Sequence, residues 1–258
     1  MAVGVSAGPP VTAVVAALPE EVGPLRSRLV GLERRRENAL LLESGRLGGR
    51  RVVLAVTGDG ERNARLGVAA MLATARPERL IVIGVAGALT PGLAAAALVV
   101  ASRVTDASGR IAVGDERQIA DGARATGGRA GIVLSAAGIV DRAEEKERLA
   151  RQVGADLPAV VDLESATYVA AAVAAGVRWL VLRAVSDTAD ESLPALLNRS
   201  RDEGGAVRRA RVALGLLREP QALPFLLALR GRVGRCAEVL AAAVTAALPA
   251  LPTVERAA

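Results

Sequence analysis

Along the chain, short runs of aliphatic, often β-branched residues alternate with longer stretches in which apolar positions recur at helical spacing. Residues 11–17 predict a first strand. Residues 52–56 (VVLAV), 80–85 (LIVIGV), 98–104, 132–135, 159–162 and 177–185 (VRWLVLRAV) predict six more. Runs so uniformly apolar belong to strands buried on both faces, as in a sheet covered by helices. Between them, 61–75 reads as a helix with Leu66, Ala69, Ala70 and Ala73 on one face. Asp141 is expected to open another helix through a capping box with Glu144. Residues 164–175 read as a small-residue helix stopped by Gly176 at its C′ position. The class these patterns predict is α/β, a sheet sandwiched by helices, with no internal repeat.

Two stretches need separate reading. Residues 80–102 carry no charge and are long enough to span a bilayer. They also contain Gly84, Gly87, Pro91 and Gly92, and two buried strands joined by a glycine-rich loop explain them better than a spanning helix. Beyond Asp190 the character changes: residues 191–258 hold ten arginines and six acids among Leu/Ala-rich segments, punctuated by Pro220, Pro224, Pro249 and Pro252. This predicts two or three amphipathic helices appended to a core of residues 11–190. They are expected to pack on the sheet or on a subunit partner, with a basic apolar surface for a membrane or lipidic substrate as the alternative. The opening residues, MAVGVSAGPP, lack the basic and apolar regions of a secretory signal, so a cytoplasmic protein is expected.

Composition narrows the chemistry by absence. The 258 residues include no histidine, one cysteine (Cys236), one lysine (Lys146) and three aromatics (Tyr168, Trp179, Phe225), at a formal charge of +6. Histidine triads, His-ligated zinc, disulfides, thiolate zinc clusters and a P-loop are excluded, and a base-stacking platform for nucleic acid is implausible. Carboxylates, arginines, hydroxyls and backbone amides remain. Ligands of open α/β sheets bind beyond the carboxyl ends of the strands. Just past those ends stand Glu20 and Glu21, Thr57-Gly58-Asp59-Gly60, Ala86-Gly87, Glu164, and then Ser186, Asp187 and Asp190. Each alone could be a helix cap or a tight turn; together they converge on one sheet edge. Several acids around a neutral ligand suit cleavage through an oxocarbenium-like transition state, one acid protonating the leaving group and another orienting hydroxyls or activating water. Sugars and nucleosides are the natural candidates.

The segments AALPEEVGPL, VTGDGERNA, GVAGALTPGL and VVDLESATYVAAAVAAGVRWLVLRAVSDTAD resemble, in order and spacing, the purine nucleoside phosphorylase/uridine phosphorylase superfamily over about 11–190. The nearest branch resembles the methylthioadenosine/S-adenosylhomocysteine nucleosidases, and the basic C-terminal segment is similar to that of the hopanoid-associated phosphorylases. The resemblance implies a three-layer α/β/α sandwich with a mixed twisted sheet, often a dimer or higher oligomer. It implies cleavage of an N-ribosyl bond without metal or cofactor, phosphate being a possible co-substrate. By that resemblance Asp187, with Ser186 beside it, protonates the purine at N7. Glu164 holds ribose hydroxyls, Glu21 activates the attacking water, Ala86 and Gly87 supply backbone near the ribose, and Leu163 and Ile139 contact the substrate.

The chain departs from the family pattern at several positions. Val85 stands where a serine or threonine touches the nucleophile, Val82 where phosphorylases place a phosphate-holding arginine, Ala96-Ala97 where Gly-Asp is usual, and Ile139 where nucleosidases place an aromatic over the base. Arg62 or Arg183 could replace the missing phosphate charge. Three functions are therefore expected in turn: an adenine-releasing nucleosidase, a phosphate-dependent phosphorylase acting on a nucleoside that could be lipid-linked, and a non-catalytic nucleoside-binding protein.

Overall fold

The computed structural model describes residues 10–37, 40–154, 156–202 and 205–251. The N-terminal residues read above as lacking a secretory signal, except Pro10, and the end of the C-terminal segment from Pro252 lie outside them. Ten strands run in the order β1 (Val11–Ala16), β2 (Val30–Glu37), β3 (Leu40–Leu47), β4 (Arg50–Val56), β5 (Arg79–Ala88), β6 (Leu98–Asp106), β7 (Ile111–Val113), β8 (Arg129–Ser135), β9 (Ala159–Asp162) and β10 (Arg178–Asp187). The helices are α1 (Pro19–Ser27), α2 (Glu61–Ala75), α3 (Glu116–Thr126), α4 (Ala143–Val153), α5 (Ser165–Ala174), α6 (Leu196–Arg199), α7 (Arg209–Leu216) and α8 (Leu223–Ala250).

All strands join one mixed sheet, ordered β10-β6-β8-β9-β5-β1-β4-β3-β2 with β7 on β6. β10 also pairs with β5 in parallel, so β5, β10, β6, β8 and β9 close on themselves. Closure needs close backbone approach, and Gly131 allows it: a Cβ there would lie 2.3 Å from the Pro158 carbonyl oxygen.

The apolar runs are buried on both faces, as expected. In β1, Ala13 and Val15 belong to the same buried cluster as Val68 and Met71 of α2 and Tyr168 and Ala172 of α5. Val14 and Ala16 point the other way, into a cluster that also holds Val22 and Leu25 of α1, Ile119 of α3 and a long stripe of α8 that includes Cys236, Leu240, Val244 and Leu248. A smaller cluster places Leu149 of α4 over Leu89, Ile132 and Val161. The result is a three-layer α/β/α sandwich in which α8 forms part of one outer layer. Residues 220–250 are long and apolar enough to cross a bilayer by length and composition; here their inner stripe belongs to the core. The uncharged 80–102 stretch forms β5 and β6.

Three sequence expectations are corrected. Among the described residues the strand count rises to ten: β2, VGLERRRE, is exposed along nearly its whole length, as an edge strand can be, β3 carries a short Leu40–Leu42 run that gives way to polar residues, and β7 is only three residues long. The buried face of α2 is Ala64, Gly67, Val68, Met71 and Leu72, whereas Leu66 is 56% exposed. Gly67 decides that face, since a Cβ on it would lie 2.5 Å from the Thr57 methyl group. The capping box at Asp141 does not form: α4 starts at Ala143 after Arg142, and the Asp141 carboxylate instead accepts from Asn198 Nδ2 at 2.9 Å.

The segment after β10 binds the loops at the carboxyl edge. Leu193 N donates to Asp141 O at 2.8 Å, Arg201 Nη1 to Ala137 O at 3.1 Å, and Val207 N to Asp59 Oδ2 at 2.6 Å.

Two stability outcomes follow. Ala96 sits at φ +65°, in the left-handed region, with its N–H donating to Val185 O at 2.8 Å. Ala96→Gly relieves that strain and should raise stability by about 0.5–1 kcal/mol in urea denaturation. Leu240→Ala, emptying a fully buried site beneath the sheet, should lower it by about 2–5 kcal/mol.

Candidate active site

The carboxyl ends of β5, β9 and β10, with the first turns of α1, α2 and α5, bring acids and glycines to one place. Glu21 is the third residue of α1. Its Oε2 accepts from Leu18 N at 2.9 Å, the local reach-back expected of a glutamate there, and its Oε1 accepts from Val85 N at 2.9 Å. Only 3% of Glu21 is exposed. Gly84 makes room for it: a Cβ there would lie 2.8 Å from Glu21 Oε1 and 1.8 Å from Arg183 Nη1.

Arg183 interrupts the apolar run of β10 and is 2% exposed. Its Nη2 pairs with Asp162 Oδ2 at 2.5 Å, and its Nε and Nη2 donate to Ser165 Oγ at 3.1 and 2.9 Å. Asp162, ending β9, also accepts from Ser135 Oγ at 2.6 Å and from Ser165 N at 3.1 Å. Burial works against the charge on Arg183, but Asp162, Glu21 and Glu164 outweigh it and hold the proton more tightly than in a free arginine.

Glu164 occupies the N-cap position of α5, and its Oε1 accepts from Gly60 N at 2.9 Å, at the start of α2. Gly60 adopts φ +89°, a conformation that favours glycine. Tyr168 OH and Thr57 Oγ1 share a 2.6 Å hydrogen bond beside it. Burial first, then Asp162, push the Glu164 carboxyl up to about 7, against the pull of the Gly60 N–H and Arg183. Burial also raises Glu21 above the usual carboxylate range, against Arg183 and its backbone donors.

Asp187 ends β10 and is 3% exposed. Its Oδ1 accepts from Ser186 Oγ at 2.6 Å and its Oδ2 from Lys146 Nζ at 2.5 Å. Ser186 Oγ also lies 3.3 Å from Ala86 O, and a Cβ on Gly87 would come within 2.8 Å of Asp187 Oδ2. The strand β5 thus links the two groups of acids, with Glu21 on Val85 and Asp187 beside Gly87.

Of the residues singled out from sequence, Glu21, Glu164, Ser186, Asp187, Ala86 and Gly87 converge here. Leu163 lies between Asp162 and Glu164 at the β9–α5 junction. Ile139 stands on the loop after β8, its N–H and carbonyl both bound by the Asn198 side chain; among the described residues no hydrogen bond ties it to the carboxylates. Arg62 is exposed on α2. Sequence reasoning missed the Asp162–Arg183–Ser165 cluster, although an arginine inside an apolar strand was its visible signal. It also missed the contact between Lys146 and Asp187. A cavity of about 870 Å³ adjoins the site, walled by Leu89, Pro91, Leu93, Ala150, Thr188 and Ala189, residues that follow Gly87 and Asp187 or line α4.

Residues 11–218 match the sequence model of the phosphorylase superfamily. The chain belongs to this superfamily. Within the phosphorylase superfamily it is 30% identical over 204 residues to the 5′-methylthioadenosine/S-adenosylhomocysteine nucleosidase of Geobacillus thermodenitrificans, covering 69% of this chain and 84% of that protein. It is 42% identical over 92 residues to the protein of the same name from Mycobacterium tuberculosis. That stretch is 35% of this chain and 36% of the relative, so the match spans about a third of the relative's length. The solved structure of the S-adenosylhomocysteine nucleosidase from Streptococcus pyogenes, in complex with 5-methylthiotubericidin, shares the fold at a TM-score of 0.76 and 19% identity, over 96% of this chain and 100% of that one.

The raised proton affinity of Glu164 has a measurable sign. Its folded value of about 7 exceeds the ordinary 4.5, so the native state binds more protons than the unfolded chain between those values, and Glu164 destabilises the fold as pH rises through that window. Glu164→Gln should therefore match the parent near pH 5 and gain on it by up to a few kcal/mol near pH 8, read as the difference in Tm at the two values.

Proposed function

We propose that the protein hydrolyses the N-ribosyl bond of a purine nucleoside, an adenine nucleoside above all. The observation that carries this reading is a buried carboxylate, Glu21, hydrogen-bonded to Val85 N just before the Ala86–Gly87 backbone, while Arg183 is engaged by Asp162 and Ser165. A carboxylate placed there can take a proton from water and repels a phosphate dianion.

The reaction then runs as follows. Water attacks C1′ and gives its proton to Glu21, the C1′–N9 bond breaks, and Asp187 delivers its proton to N7 of the departing base. The products are free base and the sugar hemiacetal. Positive charge grows on the ribosyl ring in the transition state. Glu164 binds the ring hydroxyls more tightly as that charge develops, which is stabilisation specific to the transition state. The relatives named nucleosidases support the reaction class.

The second reading, phosphorolysis of a nucleoside with a large apolar 5′ substituent, is favoured by the apolar cavity next to Asp187 and by Leu214, Leu217, Leu223 and Leu227, all exposed on α7 and α8 or between them. The same surface would carry any peripheral membrane contact. The proposal includes a small-molecule nucleoside as partner, a homo-oligomeric state, no cofactor and a cytoplasmic setting.

Incubation with methylthioadenosine, adenosine and inosine, with and without phosphate, tests the reading through release of free base. Phosphate-independent release is expected. Strict phosphate dependence would favour the second reading, and saturable binding without turnover a non-catalytic protein. Asp187→Asn should slow base release by about 10²–10⁴-fold with unchanged circular dichroism; an undiminished rate would remove Asp187 as the acid.

A further inference from the structure

We propose that Lys146 is a positioning residue for the base-protonating acid, holding Asp187 in place and stabilising the charge it acquires as its proton leaves. The inference rests on the reading of Asp187 given above. Lys146 is the chain's only lysine, and it is fully buried on α4. A buried ammonium costs several kcal/mol unless its donors are satisfied. All three are: Nζ donates to Asp187 Oδ2 at 2.5 Å, Thr188 O at 2.7 Å and Glu191 O at 2.8 Å. A cation so bound has no freedom to move away from the carboxylate.

Two consequences follow from that geometry. Oδ2 is committed to Lys146, which leaves Oδ1 as the oxygen that carries the transferable proton. Oδ1 faces Ser186 Oγ at 2.6 Å, and the same hydroxyl lies 3.3 Å from Ala86 O. A hydroxyl has one proton to donate. It serves Oδ1 when that oxygen is bare and turns to Ala86 O when Oδ1 is protonated. The second consequence is electrostatic. Before transfer, Lys146 faces a neutral carboxyl; after transfer it faces a carboxylate at contact distance. The attraction strengthens along the reaction coordinate, between two buried side chains, so it lowers the barrier rather than only tightening binding.

Other charges surround the pair without replacing Lys146. Asp190, on the following turn, is held below the usual carboxylate range by the Thr188 side chain first and by Lys146 only in small part. Arg232 of α8 senses Asp187, but its guanidinium is bound in a fork to the Glu191 carboxylate at 2.7 and 2.7 Å. Cys236 of α8 also senses Asp187, while its thiol donates to Val185 O at 3.2 Å. Among the described residues, Lys146 alone forms an ion pair with Asp187.

A purely structural lysine, tying α4 to the turn after β10, predicts different results. The experiment measures kcat and KM of base release for the parent, Lys146→Met and Lys146→Gln, each also combined with Asp187→Asn. Lys146→Gln retains donors for Thr188 O or Glu191 O and serves if the Met variant does not fold. We expect a roughly 10²–10³-fold fall in kcat with KM little changed. In the Asp187→Asn background no further loss should appear, since both changes act through one group. A folded Met or Gln variant with the parent's kcat overturns the proposal. So does an equal loss in the Asp187→Asn background, which would mark the lysine as structural. If the parent releases no base, or Asp187→Asn is as fast as the parent, the reading of the site fails and takes this proposal with it.

Discussion

A guanidinium sealed inside a sheet must be answered by negative charge, and the arrangement of the carboxyl edge follows from how Arg183 is answered. Asp162 pairs with it directly, Ser165 accepts two of its N–H groups, and Glu21 and Glu164 supply longer-range attraction. The strands and helix starts that carry these groups are thereby drawn to one point: β9 through Asp162, α5 through Ser165, α1 through Glu21. Gly84 is the condition for it, because any side chain there would occupy the space of the guanidinium. The volume around one cation thus dictates where three acids stand.

The acids fall into two electrostatic settings. Glu21 and Glu164 are both buried, and burial raises their affinity for protons, with Asp162 adding to the effect on Glu164. Asp187 lies on the other side of β5, beside an ammonium and a serine hydroxyl. Groups of one chemical type placed in contrasting surroundings are how a fold assigns the roles of acid and base without histidine. A chain with no imidazole has to separate its carboxylates by environment, and β5 does so here, with Val85 bound to one group and Gly87 against the other.

Much of this was readable before any coordinates. The buried strands announced themselves as aliphatic runs, and the acids past their carboxyl ends were visible by position, so Glu21, Glu164, Ser186 and Asp187 could be named from sequence. What escaped had no local signature. β2 is an exposed edge strand whose residues answer to solvent, so it shows no apolar run, and its partner β3 buries Leu40, Leu42 and Leu47 with polar residues between them. The inward face of α2 is chosen by the contact of Gly67 with Thr57, and a helix rich in alanine carries little periodicity to reveal it. Asp141 looked like a cap because aspartate favours that position, yet a tertiary partner, Asn198, claims its side chain. Lys146 meets Asp187 across 41 residues of chain, a distance over which sequence spacing says nothing.

The hydrogen bonds from residues 193, 201 and 207 to the loops at 141, 137 and 59 join the last third of the chain to its first and middle thirds. Residues of α8 complete one face of the hydrophobic interior. On a ribosome the chain emerges from its N-terminus, so the early strands keep part of one face uncovered until α8 has left the exit tunnel. A nascent chain stalled before α8 should therefore be a client for chaperones rather than a working fragment.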